Sequence, residues 1–166
     1  MDYRKKLQNF WFYYKKPLLI GLAAVLVLVY LGIQKLNTEK PDYHIGLVRS
    51  AALSETDIAT LKDKFTAAGQ DLNGDGKVLV QIHTYYLDLA DDSENAGVNN
   101  ADAAQGLDAD LIGNVSGIFL LEDVDTFRNL TGSILSDTVI PMEYGLSMTI
   151  RSNASDGYTD LMQRVS

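Results

Sequence analysis

No cysteine occurs in the 166 residues. That excludes a disulfide framework, a thiolate zinc site, a cysteine nucleophile and a lipid-bearing anchor cysteine. Basic residues are also scarce: 14 Lys+Arg against 22 Asp+Glu give a formal charge of −8. This balance argues against a nucleic-acid partner, which calls for a basic surface to displace counterions. The sequence holds no G-x-G-x-x-G fingerprint, no phosphate-binding loop, no G-x-S-x-G elbow and no H-E-x-x-H pair. Internal repeats and low-complexity tracts are missing too. What remains is 46% hydrophobic, too apolar for a disordered chain and too mixed for a fibrous one. The length suits one domain with a small appendage.

The appendage is amino-terminal. Residues 17–33 (PLLIGLAAVLVLVYLGI) carry no charge, and Lys35 and Leu36 extend the run by snorkelling. A stretch of about 17–25 apolar residues suffices to span a bilayer. Phe10 to Tyr14 form an aromatic belt before it, and Arg4, Lys5, Lys6, Lys15 and Lys16 make that flank basic. The positive-inside rule then predicts a cytoplasmic segment over 1–16, a transmembrane helix over 17–36 and an extracytoplasmic remainder. A cleaved signal peptide is the alternative, but Tyr30-Leu31-Gly32 is bulky at the first position of a small-x-small site. Six of the basic residues and one acidic residue precede residue 37, which leaves 37–166 at −13. Such a domain is suited to cationic partners or divalent cations.

After a polar linker over 37–42, strand and helix signals alternate. Tyr43–Arg49 and Lys77–Leu87 read as strands. Between them Ser54 and Asp57 resemble a capping box, with Leu53 and Ile58 at staple positions. Ile58, Leu61, Phe65 and Ala68 then recur at helical spacing up to Gly69. Residues 88–100 are acidic, asparagine-rich and aperiodic, as in a surface loop. Ala101–Ile112 predicts a second helix with Ala104, Leu107 and Leu111 inward and Asp102, Asp108 and Asp110 elsewhere. Gly117–Leu121 is continuously apolar, as in a strand covered on both faces. A short helix bearing Phe127 and Leu130 follows. Tyr144–Arg151 alternates as an outer strand with one wet face, and Tyr158, Leu161, Met162 and Val165 mark a terminal helix. The predicted fold is α/β: an N-terminal transmembrane helix, then a βαβαβαβα domain over 43–166 with a mostly parallel sheet.

Asp71-Leu-Asn73-Gly-Asp75-Gly76-Lys77 matches the opening of a calcium loop. Asp71, Asn73 and Asp75 would offer side-chain oxygens to Ca2+ and Lys77 its backbone carbonyl. Position 12 is Ile82 rather than a bidentate Glu, so another carboxylate would be needed, from Asp88, Asp91, Asp92 or Glu94. The same residues also suit a helix-to-strand turn, with Asx side chains bonding the backbone and glycine supplying positive φ. His44 and His83 lie on strands outside any known motif and read as structural. Glu122, Asp123 and Asp125 follow a strand's carboxyl end, where open α/β sheets hold ligands; Asp123 or Asp125 also suits an N-cap.

On the basic-aromatic N-terminus, the single span and the segments DYHIGLVRS, DLNGDGKVLVQIHTYYLD, VSGIFLLED and YGLSMTIRS, the chain resembles uncharacterised single-pass membrane-anchored proteins of Gram-positive anaerobic bacteria. Its outer domain looks like one lobe of an extracellular solute-binding protein, a likeness of fold. Two functions are expected. One is an extracytoplasmic binding or protein-interaction module, held in the cell membrane through 17–36 and accessory to another envelope protein or transport complex. The other is a small metal-dependent hydrolase using clustered carboxylates. Convergence of Asp71, Asp75 and the acids of 88–94 on one cavity would favour the second; an apolar patch or open sheet edge would favour the first.

Overall fold

A computed structural model describes residues 20, 21, 23–29, 40–89 and 101–166. Two compact units are present, Met1–Glu39 and Lys40–Ser166. In the first, residues 20, 21 and 23–29 are helical, with Ile20 and Val25 to Val29 exposed. No helix among the described residues is long and apolar enough to cross a membrane. Much of the expected 17–36 span, the whole of 1–16 and most of the 88–100 loop lie outside those residues.

The second unit is an α/β sandwich of three layers. In chain order it contains β1 (Tyr43–Arg49), α1 (Glu55–Ala68), β2 (Val80–Tyr86), α2 (Ala101–Gly113), β3 (Ile118–Leu121), α3 (Val124–Thr131), β4 (Leu135–Pro141), β5 (Ser147–Arg151) and α4 (Asp156–Val165). The sheet order is β2-β1-β3-β5-β4. β1 pairs in parallel with β2 and with β3, while β5 is antiparallel to β3 and to β4. Stepping from β1 to β2 and then back past β1 to β3 reverses the winding. Right-handed crossovers then send α1 and α2 to opposite faces.

The packing agrees. Ile45, Leu47, Ile118, Leu120, Met148 and Ile150 face Leu61 and Phe65 of α1 and Leu161, Met162 and Val165 of α4. Val48, Tyr85, Phe119 and Leu121 face Leu107 of α2 and Phe127 of α3 on the other side. β3 is central, and its four residues are fully buried, as its unbroken apolar run predicts.

Three expectations are corrected. The sheet has five strands rather than four, because Leu135–Pro141 forms an edge strand. Only Leu135 in it is buried and it carries a register shift, so it has no period to read. Tyr144–Arg151 is not an outer strand: β5 lies between β3 and β4, and its polar Thr149 and Arg151 are buried. Its first residues make the hairpin turn instead, with Tyr144 and Gly145 both left-handed at φ 62° and 70°, the pair of conformations a tight hairpin needs. Finally, Asp42 is no linker residue. It is 7% exposed; its carboxylate accepts the backbone N–H groups of Leu72, Asn73 and Leu79, tying the entry of β1 to that of β2.

Gly69 does end α1, through crowding rather than a left-handed cap. A Cβ there would lie 2.7 Å from Val78 and 3.0 Å from Tyr43. The helix starts as expected, with Ser54 Oγ accepting the Asp57 N–H at 3.1 Å and donating to its carboxylate at 2.6 Å.

Candidate functional site

The strand order reverses between β1 and β3, and open α/β sheets place ligands outside the carboxyl ends of strands at that point. A cleft of about 190 Å³ lies there, lined by Val48, Arg49, Ser50, Leu87, Glu122 and Asp123 among others. Glu122 leaves the end of β3 and accepts both the backbone N–H and the hydroxyl of Ser50 at 2.8 Å. Those bonds, the N–H first, hold its carboxyl below the usual range, helped by Arg49, whose Nη2 lies 3.9 Å away. Arg49 Nε is buried without a hydrogen-bond partner.

Asp123 is the N-cap of α3, accepting the Thr126 N–H at 2.9 Å, which lowers its pKa. Asp125 lies in the first turn of that helix. Of the three carboxylates following β3, Glu122 and Asp123 therefore line the cleft, Asp123 while capping.

Beside the cleft runs an apolar groove of about 500 Å³ between α2 and α3, lined by Ala104, Leu107, Leu111, Phe127 and Leu130. Leu87 and Leu89 line both, so polar cleft and apolar groove are contiguous. Leu130 on its rim is 65% exposed. Sequence spacing alone misses this groove, because it is a gap between two helices rather than a property of either.

Under the same face lies a buried polar network. Asp110 of α2, expected to point away from the core, is 3% exposed. It follows Leu107 by three residues and shares its stripe. Its Oδ2 accepts the hydroxyls of Tyr85 at 2.7 Å and of Ser116, and its Oδ1 accepts the Ser116 N–H at 2.8 Å. Arg151 approaches Oδ1 to 3.8 Å. It also donates to the carbonyl of Leu111 at 3.3 Å and to Asn114 Oδ1 at 3.1 Å.

The helix α2 has no basic residue in its last turn, so Arg151 brings the cation its carbonyl end favours. Asn114, at φ 50°, is the left-handed residue there, and the Val115 N–H reaches back to the Asp110 carbonyl. Burial raises the Tyr85 phenol, and Asp110 raises it further, keeping it a donor.

The Asp71–Lys77 loop lies at the opposite end of the sheet. Asp71 accepts the N–H groups of Gly74 at 2.6 Å and Gly76 at 2.7 Å, and its pKa is lowered by them, Gly76 first. Asn73 accepts from Asp75, and Asp75 from Lys77, both at 2.9 Å. Gly74 and Gly76 have φ of 76° and 84°. These bonds support the turn reading.

Ile82 packs against the core, and Asp88 sits beyond the far end of β2, eight residues after Val80, about 26 Å along an extended chain at 3.3 Å per residue. Among the described residues, no three His, Cys, Asp or Glu side chains converge as metal ligands would. Asp91, Asp92 and Glu94 lie outside those residues. Asp71→Ala is expected to lower the thermal midpoint equally in chelator and in millimolar calcium. Calorimetric calcium affinity in the micromolar range, abolished by the substitution, would establish an ion site instead.

The remaining candidates, His44 and His83, face each other across β1 and β2, with Nδ1 of the first 3.0 Å from Nε2 of the second. No family model, curated protein or solved structure matches the chain.

Proposed function

We propose that the chain is an extracytoplasmic binding module, held in a membrane by residues 17–36. Its ligand is a small amphipathic molecule with an apolar body and a cationic head. The observation that carries this reading is the continuity of the switch-point cleft with the α2–α3 groove. A site mostly apolar, with a few convergent polar groups, is the usual form of a small-molecule pocket.

The head-group end holds one guanidinium, Arg49, among Asp88, Glu122 and Asp123. Three carboxyls against one guanidinium make the field there favour a cation. The uncharged 17–33 run and its basic flank support the anchor and its orientation. Among the described residues, Asp71 and Asp75 lie at the other end of the sheet from Asp88, so the convergence that would favour a carboxylate-based hydrolase finds no support there.

Hexylammonium and hexanoate serve as probes, added to the full chain in nanodiscs and followed by NMR. Hexylammonium is expected to shift signals of both Leu130 and Glu122, with hexanoate weaker. Leu130→Glu should weaken the apolar contact and Glu122→Gln the preference for the amine. Equal response to both probes would remove the cationic head from the reading, and no response to either would remove the site. Protease applied outside intact cells is expected to digest 37–166 and leave a protected N-terminal fragment; loss of the N-terminal segment instead would invert the topology.

A further inference from the structure

His44 and His83 are the chain's two histidines. They come from different strands, β1 and β2, and from residues that are diagonal in the parallel register, where His44 pairs with Gln81 and Gly46 with His83. Both are half-buried. The rings are within 14° of parallel with centroids 5.3 Å apart, while the facing nitrogens are 3.0 Å apart. The difference is about two ring radii, so the nitrogens lie near the line between ring centres and meet head-on.

That geometry selects what sits between them. A metal ion bonded to imidazole needs about 2.0–2.1 Å to each nitrogen, which an in-line pair at 3.0 Å cannot supply. An N–H···N bond spans this distance. One facing nitrogen must carry a proton and the other must not.

We propose that the His44–His83 pair is an acid-sensitive clasp that fastens edge strand β2 to β1. With one proton between the rings the clasp holds. A first added proton goes to an outward nitrogen and leaves the N–H···N bond in place, now charge-assisted. A second puts a proton on both facing nitrogens. The bond is then lost, and two cations stand against each other on a partly buried face. The pair therefore titrates in two separated steps that belong to it jointly.

Burial, then the neighbouring His83 charge, lowers the His44 pKa, while Asp110 of α2 raises it. Asp110 is itself held by Tyr85 of β2, Ser116 and Arg151 of β5. On α4, Tyr158 accepts the His44 backbone N–H through its hydroxyl at 2.9 Å. Tyr85 and Tyr158 have raised pKa values, so both phenols stay protonated while the imidazoles titrate, and Arg151 stays cationic.

A folded-state histidine pKa below the unfolded value of about 6.5 means that the unfolded chain binds more protons, so stability falls as pH falls below that value. β2 is the strand released, since it is an edge strand with β1 as its one partner in the sheet. Asp42, at the far end of β2 entry, still holds Leu79.

The full chain, labelled with 15N histidine, gives two imidazole sets to follow from pH 8 to pH 4, with amide exchange of β2 measured in parallel. Two steps at least one pH unit apart are expected. Through the lower step, β2 exchange should rise about tenfold for each unit by which it lies below the unfolded value, corrected for intrinsic rates. In His83→Gln the remaining His44 should titrate in one step, and the acid-linked rise in β2 exchange should shrink to the part that the burial of His44 alone leaves. Independent titration of both rings in the wild type at one pH would overturn the clasp, whatever the variant does. So would β2 exchange that is flat across the lower step.

Discussion

Replacing Asp110 by alanine is expected to cost about 3–5 kcal/mol, the range for breaking a buried ion pair by removing one partner. Asp110 and Arg151 are 3% and 5% exposed, so water cannot take the place of the lost carboxylate. Three hydrogen bonds disappear with it, from Tyr85, the Ser116 hydroxyl and the Ser116 N–H. Arg151 Nη2 already lacks a hydrogen-bond partner, and after the substitution its charge lacks a counterion as well. Arg151 would keep Ser116 and Leu111 carbonyls and Asn114, and its stacking 5.5 Å from the centre of the Phe119 ring. That is enough to keep it in place and charged.

The same substitution in an Arg151→Met background should cost less than in the wild type, because replacing both members of a buried pair is far milder than orphaning one. Urea denaturation of the four chains of the cycle checks this, read at constant m. A loss under 1 kcal/mol in Asp110→Ala would show that the carboxylate is not the centre of the network. The imidazole of His44 supplies an independent reading, since removing Asp110 takes away the charge that raises its pKa. His44 should then titrate lower still.

Why the sequence shows some of this and hides the rest follows from what kind of signal each feature leaves. The helix α1 is legible because cap and period agree: Ser54 starts it, and Leu61 and Phe65 mark its buried face. β3 is legible because a strand covered on both sides has no polar residue to place. β4 leaves almost no trace, for an edge strand with one buried residue looks like a loop. Asp110 hides in plain view, since a carboxylate in a helix reads as solvated unless its partners are known, and those partners lie at residues 85, 116 and 151.

The histidines sit on strands, as the sequence indicates, but their meeting depends on register between β1 and β2. Gln81, His83 and Tyr85 alternate onto one face of β2, and that parity is all that the sequence offers. Contiguity of cleft and groove depends on the gap between α2 and α3, which no periodicity encodes. Asn114 takes the left-handed position after α2, one residue past Gly113, because glycine and asparagine both tolerate it and only the backbone bonds decide.

The helix α1 offers the second large effect. Phe65→Ala is expected to cost about 3–5 kcal/mol, as for a large aromatic removed from a core. Phe65 has no exposed surface and belongs to the cluster that joins β1, β2, β3 and β5 to α1 and α4. Two helices and a sheet meet around the ring, so neighbours cannot all move inward to fill the space, and the cavity contribution persists. Ser54→Ala removes the hydroxyl that accepts the Asp57 N–H and donates to its carboxylate. Water can reach that exposed end, and the cost should be about 0.5–2 kcal/mol.

Eleven residues separate the two sites, about 16 Å along a helix at 1.5 Å per residue. Losses at that distance add to within roughly 0.3–0.5 kcal/mol. The double variant should therefore fall by the sum of the two single losses. A clear excess over the sum would mean that the cap and the core face are coupled through fraying of the first turns. Near-equal small losses for both single variants would mean that the Phe65 ring is not in the core at all, and the face assigned to α1 would be wrong.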